Sequence, residues 1–215
     1  IMGGNAGVIL SLLALHNASD NQKSKPLELA ILCGEHLLKN QTSVNDSPRA
    51  WKTWKDKQIT GFSQGAAGIV YALLRLYSVT KDTRFFEAAT EAIAYEQSFF
   101  SKPVQNWLDV RTEEAISRVT WAHGASGIGL ARLGSLSVLD SPEIYQQIAV
   151  AIETTQKHLI SDVDNLCWGN LGRVETLLVA ASKLDRPELL TVIHKAVSQV
   201  INQAETQGMF SLFPN

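Results

Sequence analysis

The stretch Gly65-Ala66-Ala67-Gly68, which runs directly into the apolar residues Ile69-Val70-Tyr71-Ala72-Leu73-Leu74, decides the fold. The same pattern, again followed by an apolar segment, occurs at Gly4-Asn5-Ala6-Gly7, Gly124-Ala125-Ser126-Gly127 and Gly169-Asn170-Leu171-Gly172. The copies start at residues 4, 65, 124 and 169, so the steps between them are 61, 59 and 45 residues. Self-similarity at such spacings is typical of repeat architectures. The sequence therefore predicts a chain built from repeated units.

Each repeat contains two helical segments of different character. The first is apolar on nearly all faces, which predicts burial; these segments are 8–15, 69–77, 128–133 and 174–181. The second is amphipathic, and these segments are 26–40, 82–99, 142–160 and 187–204. Strand-like alternation is nearly absent. Four such hairpins predict an all-α fold, an α/α solenoid or toroid whose buried helices line the inside.

Composition excludes several classes of protein. The apolar fraction of 45% and the charged fraction of 19% indicate a globular chain, and 215 residues are enough for one or two domains. A net charge of −2, with acids and bases interspersed, argues against a nucleic-acid or anionic-membrane surface. No apolar run is long enough to cross a bilayer. Two cysteines do not make a disulfide framework, so a cytoplasmic location is expected.

Two long stretches, residues 42–60 and 101–112, are expected to be irregular. The first contains Trp51, Trp54 and several basic residues. One interpretation is a loop that contacts a peptide or partner. The other, which is more common for surface loops, is a loop whose tryptophans dock on the core.

The glycines precede helices, and a helix N-terminus favours anions and thiolates. If the four N-termini converge, we expect their first-turn N–H groups to face a shared cavity. Cys167, placed just before the fourth repeat, is then expected to have a lowered pKa and to be a natural metal ligand. Tight helix packing explains the glycines equally well. Cys33 lies in the middle of an amphipathic helix and is expected to be a core residue.

Four motifs, taken in order, resemble those of one family. They are residues 61–69, residues 95–100 with 106–111, residues 121–132 and residues 166–172. Over essentially its whole length the chain resembles the lanthionine synthetase C-like (LanC-like) family, most closely the C-terminal cyclase domain of bifunctional class II lanthipeptide synthetases. The resemblance implies an α/α toroid of six or seven hairpins with zinc at its mouth. In the family, zinc activates a peptide cysteine thiolate, which adds to dehydroalanine or dehydrobutyrine and closes a thioether ring.

The resemblance also assigns site positions in this chain. The family's zinc ligands align with Ala122, Cys167 and Trp168, so Cys167 is the one ligand retained. Since a catalytic zinc needs three protein ligands, zinc binding is not expected here unless the neighbouring His123 substitutes. Gln64 stands where the family has its acid/base histidine, and an amide does not titrate near neutral pH.

The chain begins with Ile1 inside the first repeat, so we expect a piece of a longer protein: one partial cyclase domain over residues 1–215. By the resemblance, the family's functional aspartate falls just before Ile1, and a further Gly-rich hairpin follows the segment 210–215. Such a partial ring is expected to expose apolar helix faces.

Two functional interpretations stay open at this point. In the first, the parent protein is a lanthipeptide cyclase that acts on a dehydrated precursor peptide, with a dehydratase domain in the same chain. In the second, it is a pseudoenzyme that binds peptide or packs against a partner domain. The reason is that the differences from the family lie at the zinc-ligand and acid/base positions, whereas the glycines of the scaffold are present. A glycosidase or prenyltransferase-type toroid is less favoured. A glycosidase needs two facing carboxylates, whereas Asp109, Glu113 and Glu114 are expected on a solvated loop.

Overall fold

The computed structural model describes residues 1–19 and 24–213, and its helices pair into four hairpins. The helices are α1 Asn5–Ala18, α2 Ser24–Lys39, α3 Ala66–Thr80, α4 Thr83–Gln97, α5 Ala125–Ser135, α6 Pro142–Lys157, α7 Asn170–Lys183 and α8 Glu188–Gln207. All the predicted helical segments are confirmed, with ends that shift by a few residues. Of the expected C-terminal segment, Pro214 and Asn215 lie outside the described residues.

The chain divides into two compact units, residues 1–99 and 100–215. The first unit holds α1 to α4, and there α3 packs on α1, α2 and α4. The second unit holds α5 to α8, and there α7 packs on α5, α6 and α8. None of the described helices is long and apolar enough to cross a membrane.

Short strands lie within or next to the two stretches, residues 42–60 and 101–112, that were expected to be irregular. In the first unit, β1 Lys52–Trp54 and β2 Lys57–Gln58 form an antiparallel hairpin. In the second unit, β3 Phe100–Ser101, β4 Asn106–Asp109 and β5 Ile116–Ser117 form an antiparallel sheet in the order β3-β4-β5. The prediction of wholly irregular loops is therefore wrong. Strands this short carry too few residues to show a period of two in the sequence.

The Gly-x-x-Gly pattern marks helix starts, as predicted. The first glycine of each copy is the N-cap residue of its helix: Gly4 for α1, Gly65 for α3, Gly124 for α5 and Gly169 for α7. At Gly65, Gly124 and Gly169, the backbone of the loop before the helix lies against this glycine, whereas the space beside Gly4 is open. At Gly124, which has a φ of 75°, a Cβ atom would meet the backbone carbonyl of Arg118. Close approach of the loop backbone therefore requires glycine at this position.

The first-turn N–H groups of three helices donate to their own preceding loops. The Gly127 N–H donates to the Thr120 carbonyl at 3.1 Å. The N–H groups of Ala66 and Asn170 likewise donate to backbone carbonyls of their own preceding loops, at 2.9 and 2.8 Å. These particular N–H groups of α3, α5 and α7 are therefore satisfied by their own loops and do not face a cavity. The reason is that the loops themselves supply the acceptors that a helix start lacks.

Burial of the apolar helices is confirmed for most of α3 and α5. It is wrong for one face of α1, where Val8 is 45% and Leu15 is 53% exposed, and for one face of α7, where Leu178 is 40% exposed. Within its unit α1 packs on α2 and α3, and its remaining face is open. The expected exposure of apolar helix faces is thus observed at α1.

Trp51 docks on the core, which confirms for this residue the interpretation that the tryptophans of the loop pack on the core. It is 4% exposed, and its indole N–H donates to the Leu37 carbonyl at 2.7 Å. Trp54 and Cys33 are half-buried, so Cys33 is less enclosed than a core residue.

Candidate functional site

The two loops that carry the family's ligand positions meet in the second unit. The backbone N–H of Ala122, before α5, donates to the carbonyl of Cys167, before α7, at 3.1 Å. Trp168 follows directly. Three of the predicted site positions are therefore brought together by the fold. Gln64 belongs to the first unit, in the loop that precedes α3, and is half-buried.

His123 is fixed within its loop and lies against Trp168. Its backbone N–H donates to Thr120 Oγ1 at 3.0 Å, and its carbonyl accepts from the Thr120 N–H, also at 3.0 Å. The side chain is fully buried, and its ring centroid lies 5.5 Å from the Trp168 ring centroid, with 30° between the planes. The imidazole thus forms part of the support of the indole.

Arg111 also holds the Trp168 side chain. Its guanidinium carbon lies 5.2 Å from the centroid of the indole ring, a cation–π contact. The Trp168 backbone N–H donates to Asn165 Oδ1 at 2.8 Å, which fixes the loop. The indole is 38% exposed and therefore presents one part of its surface to solvent.

Asp109, the last residue of β4, is the anionic centre of this region. Its carboxylate accepts from Arg111 Nε at 3.0 Å and from Arg111 Nη2 at 2.6 Å, and it pairs with Arg118 Nε at 3.1 Å. Burial on its own would raise the pKa of the Asp109 carboxyl. Hydrogen bonds from Arg111 and attraction to His123 outweigh burial, so the pKa lies below its ordinary value.

The expectation that Asp109 lies on a solvated loop is wrong. The residue is only 3% exposed, because two arginines compensate a carboxylate that water would otherwise solvate. Glu113 and Glu114 are exposed, as expected. The sequence contained a signal for the pairing of Asp109 with Arg111, since the two residues lie two positions apart beside a strand that contains tryptophan. It contained no signal for the contact of Asp109 with Arg118.

The expected lowering of the Cys167 pKa is also wrong. Burial raises the pKa of this thiol, and the nearby charge of Arg111 opposes the rise without reversing it. The N-terminus of α7 does not offset burial, because its Asn170 and Leu171 N–H groups donate to loop carbonyls. Cys167 is therefore a half-buried thiol that is mostly protonated at neutral pH.

The residues at the three ligand positions do not fit zinc. Ala122 offers a fully buried methyl group, and the Trp168 indole has no nitrogen lone pair for a metal. Cys167 is the single donor among them, whereas a catalytic zinc needs three. Within residues 1–19 and 24–213, no group of three or more His, Cys, Asp or Glu side chains could hold a metal ion.

Comparison with known proteins places this arrangement in a family. The profile described as "Lanthionine synthetase C-like protein" matches residues 1–213. The chain belongs to the LanC-like family. A curated relative, the lacticin 481/lactococcin biosynthesis protein LcnDR2 of Lactococcus lactis subsp. lactis, is 25% identical over an alignment of 199 residues, and the match covers 88% of this chain and 20% of the relative.

Solved structures share the fold of this LanC-like chain. Nisin cyclase matches with a TM-score of 0.69 and 16% identity, over 94% of this chain and 54% of that protein. A family 76 α-mannanase of Bacteroides thetaiotaomicron matches with a TM-score of 0.63 and 12% identity, over 92% of this chain and 56% of that protein. The predicted α/α-toroid fold class is therefore confirmed. The chain spans about a fifth of the curated relative's length and about half of nisin cyclase.

Proposed function

We propose that this LanC-like chain is part of a cyclase-type domain that binds a dehydrated lanthipeptide precursor without zinc-assisted ring closure at its own residues. Membership of the family and the likeness to nisin cyclase support the cyclase-type setting. The name of the relative, a lacticin biosynthesis protein, supports a peptide as ligand. The proposal includes a single cyclase domain in a longer parent chain, a dehydratase region elsewhere in that chain and, since both cysteines are unpaired, a cytoplasmic location.

The set of donor groups around Cys167 carries the proposal. Zinc binds the thiolate form of cysteine, so the free energy of binding must offset the cost of deprotonating the thiol. Burial already raises the pKa of Cys167, so the deprotonated form is less accessible than in a free cysteine. The neighbouring ligand positions add a methyl group and an indole that Arg111 and His123 hold in place. A single thiol with a raised pKa does not replace the three protein ligands that a catalytic zinc needs.

Gln64 adds a second, independent reason. Its amide can donate and accept hydrogen bonds but does not take up or release a proton near neutral pH. The loss of a positioned general acid or base typically costs about 10²–10⁴ in rate. Even with metal supplied by other means, we therefore expect slow ring closure at these residues.

A ring-closure assay tests this proposal. The purified chain, with added zinc, is incubated with a synthetic peptide that contains one cysteine and one dehydroalanine. Loss of free thiol is followed by alkylation and mass spectrometry, and binding of the same peptide is followed by fluorescence anisotropy. We expect measurable binding and a closure rate equal to that of the peptide alone.

The two cysteines provide a matched pair of variants. An acceleration over the peptide alone that Cys167→Ser removes and Cys33→Ser leaves intact would contradict the non-catalytic role. Absence of both acceleration and binding would overturn the peptide-binding proposal as well.

A further inference from the structure

A cleft of about 600 Å³ opens beside Trp168 within the second unit. Its walls come from the loop before α5, the loop before α7 and the residues that follow α8. The side chains that matter for binding are Arg118, Thr120, Asn165, Trp168, Arg173 and Phe213. The cleft is thus built from three segments that are distant in the sequence.

The third wall is attached to the second by hydrogen bonds. The Asp164 N–H donates to the Ser211 carbonyl at 2.7 Å, and the Ser211 N–H donates to Asp164 Oδ2 at 2.9 Å. Asn165 Nδ2 also donates to the Leu212 carbonyl, at 2.7 Å. These bonds hold Leu212 and Phe213 at the rim, where they are 54% and 79% exposed.

The lining of the cleft is cationic. It contains two arginines and no carboxylate among the described residues. Arg173 is only 6% exposed, and its guanidinium donates to neutral oxygens: the Val119 carbonyl at 2.7 Å, and Ser161 Oγ and Asn170 Oδ1 at 3.0 Å. Burial lowers the pKa of Arg173, as expected for a desolvated cation that lacks a close anion.

Arg118 places a second positive charge at the mouth of the cleft. Its side chain is 42% exposed and pairs through Nε with Asp109. Arg111 occupies the same carboxylate with its fork of Nε and Nη2. The single negative charge of Asp109 is therefore shared between two guanidinium groups. Because of this sharing, the positive charge of Arg118 is only partly neutralised.

Apolar and aromatic surface lies beside these charges. Val119 and Val163 form buried parts of the wall, and Trp168 presents part of its indole. The contacts of Trp168 with Arg111 and His123 fix the indole before any ligand arrives, which reduces the entropy lost on binding. The combination suits a ligand with a carboxylate close to an apolar side chain.

We infer that this cleft binds an acidic segment of peptide, with a carboxylate against Arg118 and Arg173 and an adjacent apolar side chain on Trp168 and Phe213. The inference rests on the proposed peptide-binding function and adds the chemical class of the ligand. Nucleic acid, the other common polyanion, is disfavoured by the net charge of −2.

Fluorescence anisotropy with model peptides tests the inference. The probe is a short fluorescein-labelled peptide of alternating glutamate and leucine, and the comparison peptide has glutamine in place of each glutamate. We expect the acidic peptide to bind more tightly than the neutral one and to weaken as salt is added. We expect Arg118→Gln to weaken binding by about three- to tenfold, since one partly exposed charge-assisted contact is lost.

Two further variants make the result specific. Arg186→Gln removes an exposed arginine outside the cleft that pairs with Glu188, and we expect it to leave the affinity unchanged. Trp168→Ala is expected to weaken binding of both peptides, because it removes the apolar contact. Circular dichroism of each variant confirms that it is folded.

Equal affinity for the acidic and neutral peptides, or an equal effect of Arg118→Gln and Arg186→Gln, would overturn the inference. The assay is run with chelator and with peptides that cannot cyclise. Failure of the proposed function, seen as zinc-dependent ring closure, is therefore distinguishable from failure of this cleft to select acidic peptides.

Discussion

Replacement of Asp109 by asparagine is expected to destabilise the second unit strongly. The carboxylate is 3% exposed and accepts two side-chain hydrogen bonds from Arg111, of 3.0 and 2.6 Å, while pairing with Arg118 at 3.1 Å. Asparagine retains one acceptor, but its NH₂ group would face a guanidinium donor. The variant therefore removes the carboxylate that neutralises the largely buried Arg111 guanidinium.

The magnitude follows from the exposure of each partner. Removal of one member of a buried ion pair costs about 3–5 kcal/mol. The side chain of Arg111 is 15% exposed and that of Arg118 is 42% exposed, so the contact with Arg118 contributes at most about 1 kcal/mol. Allowing for the acceptor that asparagine keeps, we expect Asp109→Asn to lower the free energy of unfolding by about 2–3 kcal/mol.

Urea denaturation, followed by circular dichroism, measures this loss, and Glu91→Gln is the matched control. Glu91 accepts from Arg49 in the same forked geometry, with both Nε distances at 2.9 Å, but on a surface where the two side chains are 30% and 54% exposed. We expect the control to cost less than about 1 kcal/mol. Equal losses for the two variants would refute the argument that burial sets the energy of the Asp109 pair.

The same pair predicts a dependence on pH. The pKa of Asp109 in the folded chain lies below its ordinary value. Its contribution to stability is therefore fully present above the unfolded pKa of about 3.9 and is lost as the pH falls through the lower folded pKa. The difference in stability between the wild type and Asp109→Asn should shrink in that acidic range. A difference that grows on acidification would contradict the assigned direction.

Two other features give predictions that are read in separate assays. Gly124→Ala should lower the free energy of unfolding by about 1–3 kcal/mol, because φ is 75° and the new Cβ meets the Arg118 carbonyl. Gly208→Ala, where φ is 76° and the space around the new Cβ is open, should lower it by about 1 kcal/mol. Thermal melts that rank the two variants the other way would contradict this. Alkylation of Cys167 by iodoacetamide should rise with pH around a midpoint above that of a cysteine in an unstructured peptide, because burial raises its pKa. A midpoint below that of the peptide cysteine would show that the charge of Arg111 prevails over burial.

The helices could be predicted from the sequence because their signals are local. A glycine pair at each start and an apolar run after it suffice to place α1, α3, α5 and α7. The short strands could not be predicted, since β3 and β5 contain only two residues each and depend on pairing with β4. Exposure of Val8 and Leu15 was likewise invisible in the periodicity, because it depends on which neighbours α1 has.

The positions of the site could be assigned from motifs, but its electrostatics could not. The meeting of Ala122 and Cys167 is what the resemblance to the family implies, because both residues align with ligands of one metal ion. The pKa of Cys167 depends on burial and on where the α7 N–H groups donate, and neither is written in the local sequence. The buried state of Asp109 likewise depends on Arg118, which reaches it from beyond the next strand.

The central claim, that the metal position here has too few donors for zinc, predicts that ligands can be restored. The Ala122 N–H already binds the Cys167 carbonyl, so a thiol at position 122 would start close to the remaining one. We expect the double variant Ala122→Cys with Trp168→His to retain about one equivalent of zinc after dialysis, measured by inductively coupled plasma mass spectrometry, and the wild type to retain none. Zinc held by the wild type and released by Cys167→Ser would contradict the claim.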